Sequence, residues 1–163
     1  MTIYYLEMLS REELRAKPGP SGFVASILAE PDPDLNRRHY EKVGGDWQWT
    51  DRSNWTDREW IEYVDRPALR TGIAKVDGGS AGYFELEAQA DGNVEVVQLG
   101  LFPEYIGCGL GGALVTAAIE SSWAIPGTCR VWLHTCSRDH ENALENYKRR
   151  GFSVYEIVSS KIS

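Results

Sequence analysis

The chain has 163 residues, 42% hydrophobic and 25% charged, the balance of a folded chain and a length that suits one domain, residues 1–163, better than two with adequate cores. Seventeen Lys and Arg against 24 Asp and Glu leave a formal charge of −7, so nucleic acid is not an expected partner, whereas an amine-bearing molecule is mildly favoured. No run approaches the roughly 20 apolar residues that span a bilayer, and the first residues lack the pattern of a signal peptide, so a cytoplasmic protein with no membrane partner is expected.

Residues 2–8, TIYYLEM, are rich in β-forming types and predict a strand, after which Ser10-Arg11-Glu12-Glu13 is a capping-box pattern opening a short helix. From Pro18 to about Arg66 the pattern is helical but interrupted by Pro18, Pro20, Pro31 and Pro33, and Thr56-Asp57-Arg58-Glu59 marks a further helix start. Two turn signals, Asp77-Gly78-Gly79-Ser80 and Asp91-Gly92-Asn93, then divide three strands at about 70–76, 81–89 and 94–102, which predict an antiparallel meander. A buried helix is expected over 110–124, a strand over 129–135, a helix from Asp139 to Arg150 stopped by Gly151, and a last strand near 152–158. This β, α, β, α, β order calls for at least one crossover between parallel strands. Cys108, Cys129 and Cys136 form no CxxC pair, which fits a reducing compartment. His39, His134 and His140 are scattered, so no metal site is expected.

The clearest chemical signal is the strand Val94 to Phe102 leading into Ile106-Gly107-Cys108-Gly109-Leu110-Gly111-Gly112 and a helix. Glycines let a backbone turn sharply and approach a ligand closely, and the free N–H groups at the positive end of a helix favour an anion, most naturally a phosphate. The competing reading is a glycine cluster that only lets the helix pack tightly on the sheet. Gly107, Gly109 and Gly112 satisfy the letter of the dinucleotide fingerprint. Yet Pro103 to Ile106 intervene after the strand, the next strand ends without an acidic residue, and the 51 residues after Gly112 are too few for a doubly wound sheet. A nucleotide-triphosphate loop is excluded because no Gly-Lys-Ser/Thr follows the glycines.

These residues resemble the GCN5-related N-acetyltransferases. Their pattern Arg/Gln-x-x-Gly-x-Gly/Ala falls on Ile106-Gly107-Cys108-Gly109-Leu110-Gly111, with Ile106 in place of the basic or amide side chain. Ala143 to Phe152 looks like the family's Ala-x-x-x-Tyr-x-x-x-Gly-Phe segment. Trp47 to Arg52, Gly82 to Leu86 and Trp132 to Cys136 are similar to a bacterial subgroup with no assigned substrate, whose members commonly carry Arg where Cys108 stands. The resemblance implies an α/β fold, a mixed twisted sheet of about six or seven strands flanked by helices, with acetyl-CoA as co-substrate and a homodimer as a frequent state. It also implies donor contacts at Leu99, Gly100, Leu101, Gly107, Cys108, Gly109, Leu110, Gly111 and Gly112. Asn142 is the amide nearest to the position, here His140, where the family commonly has Asn.

Acetyl transfer to an amine requires a neutral nucleophile, donors for an oxyanion and an acid for the departing thiolate. By resemblance the Leu101 N–H serves the oxyanion and Tyr147 is the acid; a phenol with a pKa near 10 is protonated at neutral pH, while Leu144 and Tyr147 sharing a helical face is the packing alternative. Resemblance to the histone-acetyltransferase branch of the family, which carries its catalytic carboxylate at the position matching the one 14 before Gly109, implies Glu95 as the base, with Glu85, Glu87 or a water chain as competitors. Trp47, Trp49, Trp55 and Trp60 are gathered within 14 residues. Trp55 and Trp60 fit core packing, whereas Trp47 and Trp49, with Asp51, Arg52 and Glu85, are candidates for binding the amine acceptor, a small molecule or a protein. A catalytically idle acyl-CoA-binding module remains the alternative to an N-acetyltransferase.

Overall fold

The computed structural model describes residues 1–45 and 49–160; Trp47 therefore lies outside the described residues. In chain order the elements are β1 (Thr2–Met8), β2 (Phe23–Ile27), α1 (Pro33–Gly44), α2 (Asp57–Val64), β3 (Leu69–Val76), β4 (Gly79–Ala88), β5 (Asn93–Leu101), α3 (Gly111–Trp123), β6 (Arg130–Cys136), α4 (Ala143–Arg149) and β7 (Ser153–Ser159). The strands form one mixed sheet in the order β2-β3-β4-β5-β6-β1-β7. This is the α/β architecture expected from the sequence, with seven strands. Among the described residues no helix is long and apolar enough to cross a membrane.

The meander β3-β4-β5 forms where the turn residues demand it. Asp77 and Gly78 take φ of 50° and 85°, and Asp91 and Gly92 take 62° and 75°, the left-handed region that tight hairpins need. Beyond β5 the sheet changes character. β5 and β6 are parallel and joined through α3, while β6 and β7 both run antiparallel to β1 and are joined through α4. The expected crossover is thus present twice, and the first strand of the chain is wedged between the last two, with Leu6 and Met8 wholly buried.

Three expectations change. β2 was hidden in a stretch that reads as interrupted helix; it is a five-residue edge strand that needs only β3 as partner, and Val24 remains exposed on it. The pattern at Ser10 yields one 3-10 turn, Arg11–Glu13, rather than a helix, with Glu13 accepting from the Leu9 N–H. The helix expected from Asp139 starts only at Ala143, because residues 137–142 are spent on the turn that leaves β6.

Alternation along β4 separates two cores. Phe84 and Leu86 join Leu6, Val94 and Val96 beneath α3, whose Leu114, Val115, Ala118 and Ile119 are buried. Tyr83 faces the other way, into a cluster with Tyr40 and Val43 of α1 and Trp60 and Val64 of α2. Glu85 shares that second face and is 0% exposed. One Arg52 guanidinium nitrogen lies 2.9 Å from its Oε1 and donates to its Oε2 at 3.1 Å, and Asn36 Nδ2 donates to the same Oε2 at 3.0 Å. The guanidinium is enclosed by the rings of Tyr63, Trp55, Trp60 and Tyr40, with centroids 4.4 to 5.5 Å away.

The structure therefore corrects the reading of Glu85 as an acceptor contact: its carboxylate is sealed in the core and spent on Arg52 and Asn36. Arg52 in turn is committed to Glu85 and is not an open anchor for a carboxylate. Removing one member of a buried pair leaves the other charge without compensation, typically at about 3–5 kcal/mol. Glu85→Leu is expected to destabilise the fold by an amount of that order, lowering the thermal midpoint by roughly 2–4 °C per kcal/mol, as measured by calorimetric or circular-dichroism melting.

Candidate functional site

The site begins with a defect in strand pairing. On β4, Glu85 pairs with Gln98 but Leu86 pairs with Val96, so Val97 is an extra residue, a β-bulge that bends β5. On its other side β5 pairs with β6 only over Asn93–Glu95 against Arg130–Trp132, and beyond those residues the two strands separate. The Phe102 N–H donates to Ala81 O of β4 at 2.8 Å. By alternation Gly100 also addresses β4, and the N–H and C=O groups of Leu99 and Leu101 face the gap. Gly100 has a packing role: a Cβ there would lie 2.2 Å from Val43 Cγ1, so its missing side chain admits α1.

A cleft of about 1210 Å³ passes through this gap. One end is the turn before α3, where Gly107 and Gly109 adopt φ of 82° and 79° with open space where side chains would stand. α3 has no side-chain cap, its N-cap being Leu110. Among the described residues, the N–H groups of Gly109, Leu110, Gly111, Gly112 and Ala113 have no acceptor, which leaves a set of uncommitted donors at the positive end of the helix. Cys108 stands apart: its N–H closes the local turn on Tyr105 O at 3.4 Å, its thiol is exposed, and it does not line the cleft. Its place among donor contacts is therefore not supported by this geometry.

Gly112 has a role the motif does not reveal. A Cβ there would meet Lys17 Cδ at 2.6 Å and Arg150 Nη1 at 2.8 Å, so two cationic side chains occupy the space that the glycine leaves. Lys17 is held by its N–H bond to Thr116 Oγ1 on α3 (3.0 Å), and the Arg15 N–H bonds to Arg150 O (2.8 Å). Among the described residues neither Lys17 nor Arg150 has an acidic partner. A cationic side chain missing at Ile106 and Cys108 is thus brought to the cleft by Lys17, from a segment about 90 residues earlier in the chain, while Arg150 lies beside Gly112 without lining the cleft. No local sequence signal could have found Lys17, because only the tertiary path of residues 14–20 brings it to α3.

Along the wall on the α4 side, Tyr147 lines the cleft and packs edge-on against Phe152, ring centroids 6.2 Å apart. Burial, and then the negative charge of Asp139, raise its pKa, so the phenol is protonated throughout the neutral range. Asn142 lines the cleft from the start of α4 with its N–H on His140 Nδ1, but Asn146 lies closer to the glycines: its Nδ2 is 3.3 Å from where a Gly111 Cβ would be. Asn146 sits one turn along from Asn142, so the spacing of the helix could have nominated either.

The opposite end is lined by Trp49, Trp55, Tyr63, Asp51 and Arg52, with Trp49 between α1 and Gly100 and Asp51 exposed at the rim. Trp60 is core, as expected, whereas Trp55 both packs on Trp60 and lines the cleft. Glu87 and Glu95 stand on the floor between these walls. Burial raises the pKa of Glu95. Burial acts in the same direction on Glu87, but hydrogen bonds from Gln89 and Arg66 outweigh it and hold that carboxyl below its ordinary value. Among the described residues no cluster of three or more metal-ligating side chains occurs.

The sequence model of the Acetyltransferase (GNAT) family matches residues 26–152, more than half of the chain. The chain belongs to this family. Among curated relatives, an uncharacterised N-acetyltransferase of Mycobacterium tuberculosis is 31% identical over 104 residues, covering 63% of this chain and 64% of that protein. Mycothiol acetyltransferase of Clavibacter michiganensis is 31% identical over 147 residues, covering 88% of this chain and 46% of that protein. A solved GCN5-related N-acetyltransferase from Sphaerobacter thermophilus superposes with a TM-score of 0.74 at 18% identity, over 96% of this chain and 49% of its own, a likeness of fold. The chain thus spans about half the length of the last two.

The uncommitted N–H groups and Lys17 beside Gly112 fit a diphosphate. Lys17→Met is expected to weaken coenzyme A binding roughly two- to fivefold, the scale of an exposed charge contact, with the difference shrinking as salt rises and no change for pantetheine. Isothermal calorimetry at two ionic strengths checks this.

Proposed function

We propose that this GNAT chain transfers the acetyl group of acetyl-CoA to an amine, on a small molecule or a protein, by direct attack with both substrates bound together. One observation carries the reading: β5 parts from β6 opposite the uncapped start of α3, giving a single cleft with anion donors at one end, strand amides in the middle and a carboxylate floor beneath an aromatic wall. When bound, acetyl-CoA supplies an acyl group activated as a thioester.

The residues of the chain divide the remaining work. The amides of Gly107 and Gly109 to Gly112, with Lys17, hold the diphosphate. Leu99 and Leu101 offer backbone groups to the pantetheine arm, and the Leu101 N–H donates to the carbonyl oxygen as charge builds on it. Glu95 takes one proton from an incoming ammonium, for which its raised pKa suits it, and the neutral amine nitrogen then forms the new C–N bond as the C–S bond breaks. The second proton of that nitrogen passes through water to the phenolate left when Tyr147 protonates the sulfur, and Glu95 sheds its proton to solvent. Tyr147 gives a proton to the leaving sulfur; its hydroxyl has no partner among the described residues and is available for that bond. Trp49, Trp55 and Asp51 form the acceptor side, an apolar wall with a carboxylate at its rim for a cationic amine.

The test is thiol release from acetyl-CoA in the presence of a panel comprising a polyamine, an amino sugar, an amino acid and a lysine peptide. Acceptor-dependent release supports the reading, whereas coenzyme A binding without any release indicates a binding module. Tyr147→Phe is expected to lower turnover about 100-fold, the scale of general acid catalysis, while leaving coenzyme A affinity within about twofold; unchanged turnover removes Tyr147 from the chemistry. Because the base acts as its anion and burial raises its pKa, kcat/KM is expected to climb with pH through a limb above that of an ordinary glutamate, a limb that Glu95→Gln abolishes along with most of the rate.

A further inference from the structure

We infer that Gln89, oriented by Trp132, is the positioning residue that aims the Glu95 carboxylate and keeps it available as the proton acceptor, while Arg66 withholds the neighbouring Glu87, an inference that rests on the proposed role of Glu95. Glu87 and Glu95 are direct cross-strand partners on β4 and β5, where two like charges repel. The Gln89 amide bridges them: its Nε2 donates to Glu87 Oε1 at 2.9 Å and to Glu95 Oε1 at 3.0 Å, using both of its hydrogens.

The orientation of that amide is dictated from the far side. Trp132 Nε1 donates to Gln89 Oε1 at 3.0 Å, and an indole N–H can only donate. The amide oxygen must therefore face the indole and its amino group must face the carboxylates. The backbone is fixed as well, the Gln89 N–H bonding to Asn93 O at 2.7 Å across the turn between β4 and β5. Trp132 is the Cα partner of Glu95 in the last parallel pair before the strands separate, so the bridge stands at the closed end of the gap.

The two carboxylates are then made unequal. Arg66 Nη2 reaches Glu87 Oε2 at 2.8 Å while its Nε donates to Tyr63 O at 2.7 Å, giving Glu87 a fixed counter-ion. Among the described residues Glu95 has no ion-pair partner; it faces Glu87 from β4, His134 from β6 and, further off, Arg52 from the α1–α2 connection. A single proton added to this pair resides on Glu95, and Gln89 keeps that carboxylate aimed and partly ionised against its burial.

The test uses the whole chain and needs no known acceptor. Carboxyl-resolved NMR of glutamate-labelled protein follows the titration of Glu95, and calorimetry follows coenzyme A. In Gln89→Met, which keeps the side-chain length but loses the amide, the Glu95 titration is expected to move to higher pH with coenzyme A affinity unchanged. Trp132→Phe, which keeps a ring but loses the donor, moves it the same way by less. For any amine turned over in the panel, the acid limb of kcat/KM follows the NMR shift in both variants. A Glu95 titration unmoved in Gln89→Met overturns the inference, and if that variant does not fold, an unmoved titration in Trp132→Phe does so. Full turnover in Glu95→Gln sinks the underlying assignment of the base instead, a result distinct from either.

Discussion

A strand in a sheet has two edges, and beyond Glu95 β5, bulged at Val97, keeps its pairing with β4 while giving up its pairing with β6. Everything chemical in the molecule depends on that surrender. Had β5 and β6 remained paired to their ends, the backbone groups of Leu99 and Leu101 would be consumed by the ladder and no cleft would cross the sheet. The cost of unpaired strand groups is considerable when they are buried, and it is tolerable here because they line an open cleft of about 1210 Å³. The glycine turn and α3 follow directly from β5, so the same bend that opens the gap also sets the helix N-terminus at its mouth.

The far wall of the cleft is stiffened by a different device. Between α1 and α2, Arg52 drives its guanidinium into the second core and so ties residues 49–56 to the sheet. The charge is met by Glu85 and by four aromatic rings. This makes the aromatic cluster a cage already filled by the protein's own cation, and it positions Trp55 and Tyr63 to face the cleft. The surface available to an acceptor is thus held from behind by buried electrostatics rather than by secondary structure.

Much of this was legible in the sequence where the determinants are local. The positive-φ turns announce themselves in Asp77-Gly78 and Asp91-Gly92, and α3 in its run of small and apolar residues. Legibility fails where one residue type has several fates. Glu85 and Glu87 share a sheet face by their spacing and Glu95 stands opposite Glu87, yet one is sealed against Arg52, one is tied to Arg66 and, among the described residues, one has no counter-ion. Nothing in their immediate neighbours distinguishes them, because each outcome is decided by a side chain from another element. Lys17 and Gln89 were invisible for the same reason, and β2 because a five-residue edge strand among prolines has too little pattern to outweigh its surroundings.

The placement of β1 has a kinetic meaning. Thr2 pairs with Ser159, and β1 lies between β6 and β7 in the sheet. Closing a loop of nearly the whole chain is entropically slow and is rewarded only when the last strand arrives. Until β6 and β7 are in place β1 has no strand to pair with, so this half of the sheet closes late and the apolar side chains of β1 gain their cover last.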